Sequence, residues 1–479
     1  MRATMDVKRA EVDSRHTTGG GWRTRRASIQ RRSDLPPGPE GLPYFGNALQ
    51  FRRDPLAFVQ GAQRSFGRLA TFWMLGYPAV MFFRPEHVRY FLVEHPRGFT
   101  NSEVAAGLKR TLGRGLLTTD GEYHRRMRRL VQPAFAKKRV EGYAAVMVRH
   151  THELLETWHP GARLDIARAM QQLTLRIVAQ ALFDVDLEAE QPDLSRAFQL
   201  VIENPTQIAW SLNALHLDLP FLPYGKYMAG RRALDGYVYG LIARRRDEGR
   251  DRGDVLSMLL AARDDDGASL TDEEIRDQTM TLFAAGHETT ANALSWTFYL
   301  LSLHPDVRAR LCAELADVLG ERDPEPDDLA RLPYLDWVVN ESMRLYPPAW
   351  MQGRHASEPF ELEGYHFPAG TIAMLSQWVI HRLPDVWGDP DRFRPERWDP
   401  ARGEEVSPGA YFPFGGGPRT CIGMPFAQLE ARLLLATILR HFTPELVPGY
   451  PVVPRPRVTL KPKYGIAMTL EPARVPARA

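Results

Sequence analysis

Cysteine is nearly absent, since the 479 residues contain only Cys312 and Cys421. Two cysteines cannot build a disulfide framework, so the fold must rest on its core, and a reducing cytoplasm suits such a chain. No stretch reaches the run of about 18 consecutive apolar residues that a membrane-spanning helix needs, so no transmembrane anchor is expected. Net charge is also small, +3 from 61 basic and 58 acidic residues, which argues against nucleic-acid binding. No glycine-rich nucleotide fingerprint opens a strand–helix unit, so neither flavin nor NAD(P)H binding is encoded. What the chain does have is apolar material: 44% of its residues are hydrophobic and 10% aromatic, ample for a large core.

The first 33 residues are Arg-rich, interrupted by Gly19-Gly20-Gly21, and lack the apolar core of a secretory signal. Asp6, Glu11 and Asp13 count against an organellar transit peptide. Residues 1–34 are therefore expected to form a disordered basic tail, with an address function or a peripheral membrane contact left open. Leu35-Pro-Pro-Gly-Pro39 opens the folded part as a stiff, extended segment. Length alone suggests two or three domains. No internal repeat or interdomain linker interrupts the remainder of the chain, so residues 35–479 are expected to fold as one domain. β-rich runs on both sides of Gly76-Tyr77-Pro78 predict a hairpin. Helical patterns dominate from Pro85 to about Pro359, and short strand runs, broken by Gly364 and Pro368-Ala-Gly370, fill Phe360 to Leu375. The fold class is mainly α (α+β), one helical body with small β-sheets gathered at one side.

The most informative stretch is Phe414-Gly-Gly-Gly-Pro-Arg-Thr-Cys421-Ile-Gly423, followed by the helix-forming run Pro425 to Leu439. Four glycines and a proline in ten residues forbid a helix or a central strand, so this is a shaped loop. Cys421 then sits just before a helix N-terminus, where the dipole and free N–H groups stabilise a thiolate. Gly423 leaves room for something flat and large. A buried cysteine in a glycine-rich turn is the plainer alternative. The full spacing, with Phe414, Gly417, Arg419, Cys421 and Gly423 in register, resembles the haem-binding signature of the cytochrome P450 family. That resemblance covers roughly Leu35 to the end. It implies Cys421 as the axial iron ligand, Phe414 packed near the thiolate and Arg419 reaching a haem propionate.

Other motifs occur in the family's order. His124 and Arg128, four apart on one helix face, are an ordinary solvated pair when taken alone. In context they resemble the family's His-x-x-x-Arg propionate pair. A capping box at Thr271-Asp-Glu-Glu274 starts a helical pattern that runs to His304-Pro305, roughly 48 Å at 1.5 Å per residue. In its middle, Ala285-Gly-His-Glu-Thr-Thr290 is a poor helix sequence, so a local bulge or bend is expected. It also resembles the family's oxygen-activation segment, implying Glu288 and Thr289 as a proton-delivering acid–alcohol pair beside Ala285 in the substrate pocket. Glu341-x-x-Arg344 with Arg397 resembles the family's buried Glu–Arg–Arg network. Trp398 stands where Phe is commoner, with no evident consequence. Arg354 is implied as a further propionate contact, and Trp350 and Met351 as cavity lining. Leu215 to Tyr224, apolar but broken by Pro220 and Pro223, reads as a core segment, whereas the resemblance implies a lid over a substrate channel.

The resemblance implies a monomeric, cytoplasmic monooxygenase with haem b and O2 as co-substrate. It would insert one oxygen atom into a small hydrophobic molecule: a terpenoid, carotenoid, fatty acid or steroid. Backbone N–H groups near Ile422 and Gly423 would temper the sulfur charge. Electrons would come from a separate ferredoxin or flavodoxin with its reductase, docked near Arg125, Arg126, Arg129, Lys137 and Lys138. Two alternatives keep the fold: a peroxygenase or hydroperoxide isomerase, and a non-catalytic haem-binding protein. The retained acid–alcohol pair argues against both.

Overall fold

A computed structural model of the chain describes residues 34–473, apart from 75–76, 102–104, 187–196, 198–200, 202–217 and 265. The expected tail over residues 1–34 lies outside the described residues except for Asp34. The helices that frame the site and its core are α1 (Gly121–Val131), α2 (Ala144–Leu155), α3 (Ile166–Phe183), α4 (Pro223–Glu248), α5 (Asp272–Leu303), α6 (Pro305–Leu319), α7 (Pro333–Leu345) and α8 (Met424–His441). No helix among the described residues is long and apolar enough to cross a membrane.

Helix α5 organises the rest. The Glu274 N–H donates to Thr271 Oγ1 at 3.2 Å and the Thr271 N–H donates to Glu274 Oε2 at 3.0 Å, closing the capping box. The helix then runs 32 residues to Leu303, and Pro305 opens α6. Its flanks are buried on nearly every side, and its main neighbour is α3. The bulge expected over 285–290 does not interrupt it. Gly286 serves close approach instead, because a Cβ there would come within 3.0 Å of Val178 on α3. Thr174 Oγ1 on α3 donates to the His287 carbonyl at 3.0 Å, and Thr289 Oγ1 donates back to the Ala285 carbonyl at 2.7 Å. These hydroxyls satisfy carbonyls within the helix, so no turn has to open.

Five strands, β1 (Leu69–Met74), β2 (Tyr77–Phe82), β3 (Phe99–Thr100), β4 (Gln352–Ala356) and β5 (Ile372–Leu375), form one sheet in the order β1-β2-β5-β4-β3. The predicted hairpin is β1–β2, with Leu69 opposite Phe82. The parallel pairing of β2 with β5 ties the N-terminal strands to the late ones. Beneath them sits an aromatic core, with Phe91 and Phe99 rings 4.8 Å apart and Phe360 and Phe367 rings 4.7 Å apart. The helical core is a second, larger cluster built around α3, α5, α7 and α8. A further hairpin near the C-terminus, β6 (Pro454–Pro456) with β7 (Leu460–Pro462), lies against α5.

The structure brings Glu341, Arg344 and Arg397 together in full burial, not as a surface pair. Glu341 Oε2 accepts from Arg344 Nε at 2.8 Å, and Oε1 accepts from Arg344 Nη2 at 2.9 Å and Arg397 Nε at 2.8 Å. The Arg394 N–H adds a bond to Oε1 at 3.0 Å. Trp398 has a consequence after all, since its indole Nε1–H donates to Glu341 Oε2 at 3.1 Å. Phenylalanine could not make that bond. Arg344 extends the network to the carbonyls of His381 and Pro390. A buried carboxylate satisfied this completely is rigid, and removing one partner strands the charge.

Glu430 on α8 is the opposite case. Both of its carboxyl oxygens are buried without a hydrogen-bond partner, and Thr290 of α5 is a polar neighbour. Burial pushes its pKa from 4.5 up to about 8. Between those values the unfolded chain releases a proton that the folded one keeps, so stability falls as pH rises, by ~1.4 kcal/mol per unit. Urea unfolding of Glu430→Gln should match the parent near pH 5 and exceed it by more than about 2 kcal/mol at pH 8. Parallel pH profiles for the two proteins would show that Glu430 is ionised in the fold.

Candidate active site around Cys421

The loop before α8 is shaped by its glycines. Gly417 has φ 63°, and a Cβ there would lie 1.7 Å from the Leu92 carbonyl oxygen, so only glycine lets the loop press onto that backbone. The Cys421 N–H donates to the Phe414 carbonyl at 3.0 Å, and Thr420 Oγ1 donates to the Gly417 carbonyl at 2.8 Å. Phe414 itself is half-buried against the helical core. At Gly423 an added Cβ would touch Cys421 Sγ and Phe135 at 3.8 Å each, so the protein leaves that side of the thiol uncrowded.

Cys421 is accessible from a hollow of about 600 Å³ lined by Arg128, Arg129, Pro133, Phe135 and Met424, among others. Its other sides are densely packed, and that burial pushes the thiol pKa up. The N–H groups of Gly423 and Met424 and the Arg128 guanidinium pull the other way without winning. The expected pair of tempering amides was Ile422 and Gly423, whereas the geometry places Gly423 and Met424 at the sulfur. A thiol in this balance stays neutral until a metal cation meets it, and then ionises outright.

Basic side chains gather beside it. His124 is buried on α1, its pKa pushed down to about 4 by burial and by Arg419 and Arg128. Arg128, one turn on, donates to the Thr420 carbonyl at 2.8 Å. Arg419 is paired with Asp120. Arg354 on β4 is buried, and desolvation lowers its pKa to about 10, followed by the effect of Arg419. It bonds the Gly353 carbonyl at 2.9 Å and Gln352 Oε1 at 3.4 Å, with no carboxylate at ion-pair distance among the described residues. The Gln352 amide nitrogen beside it is buried and unpartnered. His124 is neutral at that pKa, but one acid cannot neutralise three guanidinium groups, and buried cations need a counter-anion. The donor set therefore fits a flat, dianionic, metal-bearing group such as haem, with carboxylates toward Arg354 and Gln352 and metal toward Cys421. Asp120 and Gln352 were not anticipated from sequence, and neither belongs to a recognisable motif.

On α5 the middle turn is open where the rest is buried. Ala285 is exposed and Thr289 partly so, while Glu288 is buried. Glu288 Oε1 accepts from Thr459 Oγ1 at 2.8 Å and lies 3.9 Å from Lys461 Nζ. Trp350, expected to line the cavity, turns into the sheet-side core. It is 6% exposed, stacks on Phe51, and donates from Nε1 to the Arg457 carbonyl at 2.9 Å. Met351 is half-buried against the same core. In the ambiguous segment Leu215 to Tyr224, residues up to 217 lie outside the described ones, and Leu219 and Phe221 are exposed, which removes the core reading there. In the basic cluster, Arg126 is engaged internally, by Asp264 at 2.9 Å and Glu274 at 2.9 Å, so it is not part of an open positive surface. Arg125 pairs with Glu122, and Lys137 lies 3.7 Å from Glu141.

Comparison with known proteins gives the family. A family model described as cytochrome P450 matches residues 36–470. The chain is 39% identical over 426 residues to cyclooctatin synthase of Streptomyces melanosporofaciens, covering 88% of this chain and 92% of that one. It is 35% identical over 418 residues to pentalenene oxygenase of Streptomyces avermitilis, covering 87% and 92%. Among solved structures, retinoic-acid-bound cyanobacterial CYP120A1 aligns with a TM-score of 0.82 at 29% identity, covering 91% of this chain and 99% of that one.

Cys312 on α6 is half-buried against the helical core, its thiol pKa raised by burial. Cys421→Ser should therefore abolish the red-shifted Soret band of the reduced, CO-bound protein, and Cys312→Ser should leave it intact. Loss of the band in the Cys312 variant instead would reverse the assignment.

Proposed function

The chain belongs to the cytochrome P450 family, the haem b monooxygenases that use O2, and from that premise we propose that it oxidises a terpenoid. The observation carrying this reading is the pair of relatives named for cyclooctatin and pentalenene, both matched over most of the chain. Bound haem supplies the oxygen chemistry, drawing electrons from a redox partner. The chain's own residues then divide the remaining tasks. Cys421 Sγ would ligate the iron, and His124, Arg128, Arg354 and Arg419 would hold the propionates. Glu288 brings protons inward and Thr289 presents its hydroxyl oxygen on the reacting side, its own hydrogen being donated to the Ala285 carbonyl. Exposed Leu219 and Phe221 are apolar surface suited to a hydrophobic substrate's approach.

The electron donor in this reading is an acidic ferredoxin or flavodoxin. The hollow beside Cys421 is lined by Arg129, and Arg125 and Lys137 are exposed nearby in the chain, so a negative partner would be steered toward the thiolate side. The residues concerned are Arg125, Arg129, Lys137 and Lys138, without Arg126. A cytoplasmic, monomeric catalytic unit over residues 35–479 completes the proposal.

Two measurements test it. Titrating the ferric protein with terpenoid hydrocarbons and alcohols should shift the haem Soret band at micromolar concentration, with fatty acids and steroids weaker. A response confined to fatty acids or steroids would overturn the terpenoid reading. Separately, Arg125→Glu with Arg129→Glu should slow reduction by an acidic ferredoxin severalfold and flatten its salt dependence, with haem content unchanged. Identical salt curves for variant and parent would place the donor elsewhere.

A further inference from the structure

Glu288, Asn292 and Trp296 recur every four residues on one face of α5, and all three engage β7 or the residue before it. Trp296 Nε1–H donates to the Leu460 carbonyl at 3.0 Å. Asn292 Nδ2 donates to Thr459 Oγ1 at 3.1 Å, and Thr459 Oγ1 in turn donates to Glu288 Oε1 at 2.8 Å. Lys461 Nζ lies 3.9 Å from that same oxygen, with its side chain only 11% exposed. The carboxylate thus faces the hairpin. Thr289, the next residue, lies about 100° further round the helix, on the open side beside Ala285. The acid and the alcohol diverge, and Glu288 must rotate its side chain to serve the side that Thr289 faces.

The hairpin does not need Glu288 to stay where it is. Leu460 N–H donates to the Pro348 carbonyl at 2.8 Å, the Trp350 indole holds the Arg457 carbonyl, and β6 pairs with β7 over Pro454–Pro462, Arg455–Lys461 and Pro456–Leu460. Asn292 and Trp296 add two anchors from α5. The hairpin is thus anchored by bonds other than those to Glu288, while the Thr459 hydroxyl, which accepts from Asn292, and the Lys461 ammonium also reach the one buried carboxylate of residues 285–290.

We infer that Thr459 and Lys461 are positioning residues that park Glu288: they hold its carboxylate against β7 and away from the oxygen side, so that proton delivery waits on its release. The inference rests on Glu288 being the proton-delivering acid. Once released, Glu288 takes up a proton from solvent and passes it toward the side of Thr289. There O2, two electrons supplied by NADPH through the redox partner and two solvent protons yield one water and one oxygen atom inserted into a substrate C–H bond, and the carboxylate left behind returns to Thr459 and Lys461.

The test uses the haem-bound protein with a ferredoxin–reductase pair, following NADPH oxidation in H2O and D2O, together with crystal structures of the ferric variants. Thr459→Val and Lys461→Met should turn the carboxylate off β7, raise NADPH oxidation at least twofold and lower its solvent isotope effect. Thr459→Ser and Lys461→Arg, which keep the hydroxyl and the charge, should restore parent values. Glu288→Gln should act oppositely, slowing oxidation and raising the isotope effect. The CO spectrum reports intact folding in every variant, and either position decides alone if the other variant fails to fold. If Glu288→Gln changes nothing, Glu288 is not the acid and both readings fall. If Glu288→Gln has its effect while Thr459→Val and Lys461→Met keep the carboxylate in place, or slow turnover as Gln does, the parking role is overturned and the acid assignment stands.

Discussion

Uncompensated positive charge around one thiol is the constraint on which the rest of this structure depends. Arg128, Arg354 and Arg419 converge near the Cys421 loop beside a neutral His124, with Asp120 as the acid among them. Desolvation lowers the pKa of every one of these bases, and at Arg354 it does so with only neutral acceptors bonded. Such a cluster destabilises the protein unless an anion arrives. Haem, which carries two carboxylates and a metal cation, would relieve both the surplus positive charge and the neutral thiol at once. The scaffold must hold this cluster open against its own repulsion, and that demand accounts for the rigidity around it.

The rigidity comes from two directions. The Glu341 network locks α7 to the segment around Pro390 to Trp398 through charged hydrogen bonds with no water needed, and Trp398 adds its indole to the same carboxylate. Helix α5 is locked to α3 by the missing side chain of Gly286 and by the Thr174–His287 bond. Between these fixed bodies the turn of α5 at residues 285–289 has fewer polar contacts holding its side chains. Thr289 can rotate its hydroxyl, and Glu288 is held by one hydroxyl and one ammonium, not by a closed network.

Much of this was legible in sequence because it is local. The capping box at Thr271, the stop at Pro305 and the β1–β2 hairpin depend on residues within a few positions of one another. The Cys421 loop was legible for the same reason, since glycine and proline spacing dictates backbone shape directly. Illegible were the features that depend on what arrives from far along the chain. The substitution at Trp398 reads as neutral until Glu341, 57 residues away, is seen beneath it. Arg126 reads as surface charge until Asp264 and Glu274 come across to take it. Trp350 reads as cavity lining from its place near Arg354, but its indole finds a carbonyl on a hairpin 107 residues later. Gly286 suggested a kink because its own helix propensity is poor, whereas the neighbour that uses the gap is Val178, on another helix.

Three buried glutamates show how one side chain is set to three tasks by its neighbours alone. Glu341 has donors for both oxygens and serves as a fixed post. Glu430 has none, and burial holds it neutral up to about pH 8, so it fills space between α5 and α8 without imposing a charge. Glu288 stands between these limits, with donors enough to hold it and too few to lock it. A carboxylate that must both keep and surrender a proton cannot sit in either extreme environment. Saturated with donors like Glu341 it would not move, and stripped of them like Glu430 it would not ionise. The intermediate wiring, supplied by a C-terminal hairpin and not by the helix itself, fits Glu288 to the proton delivery proposed for it.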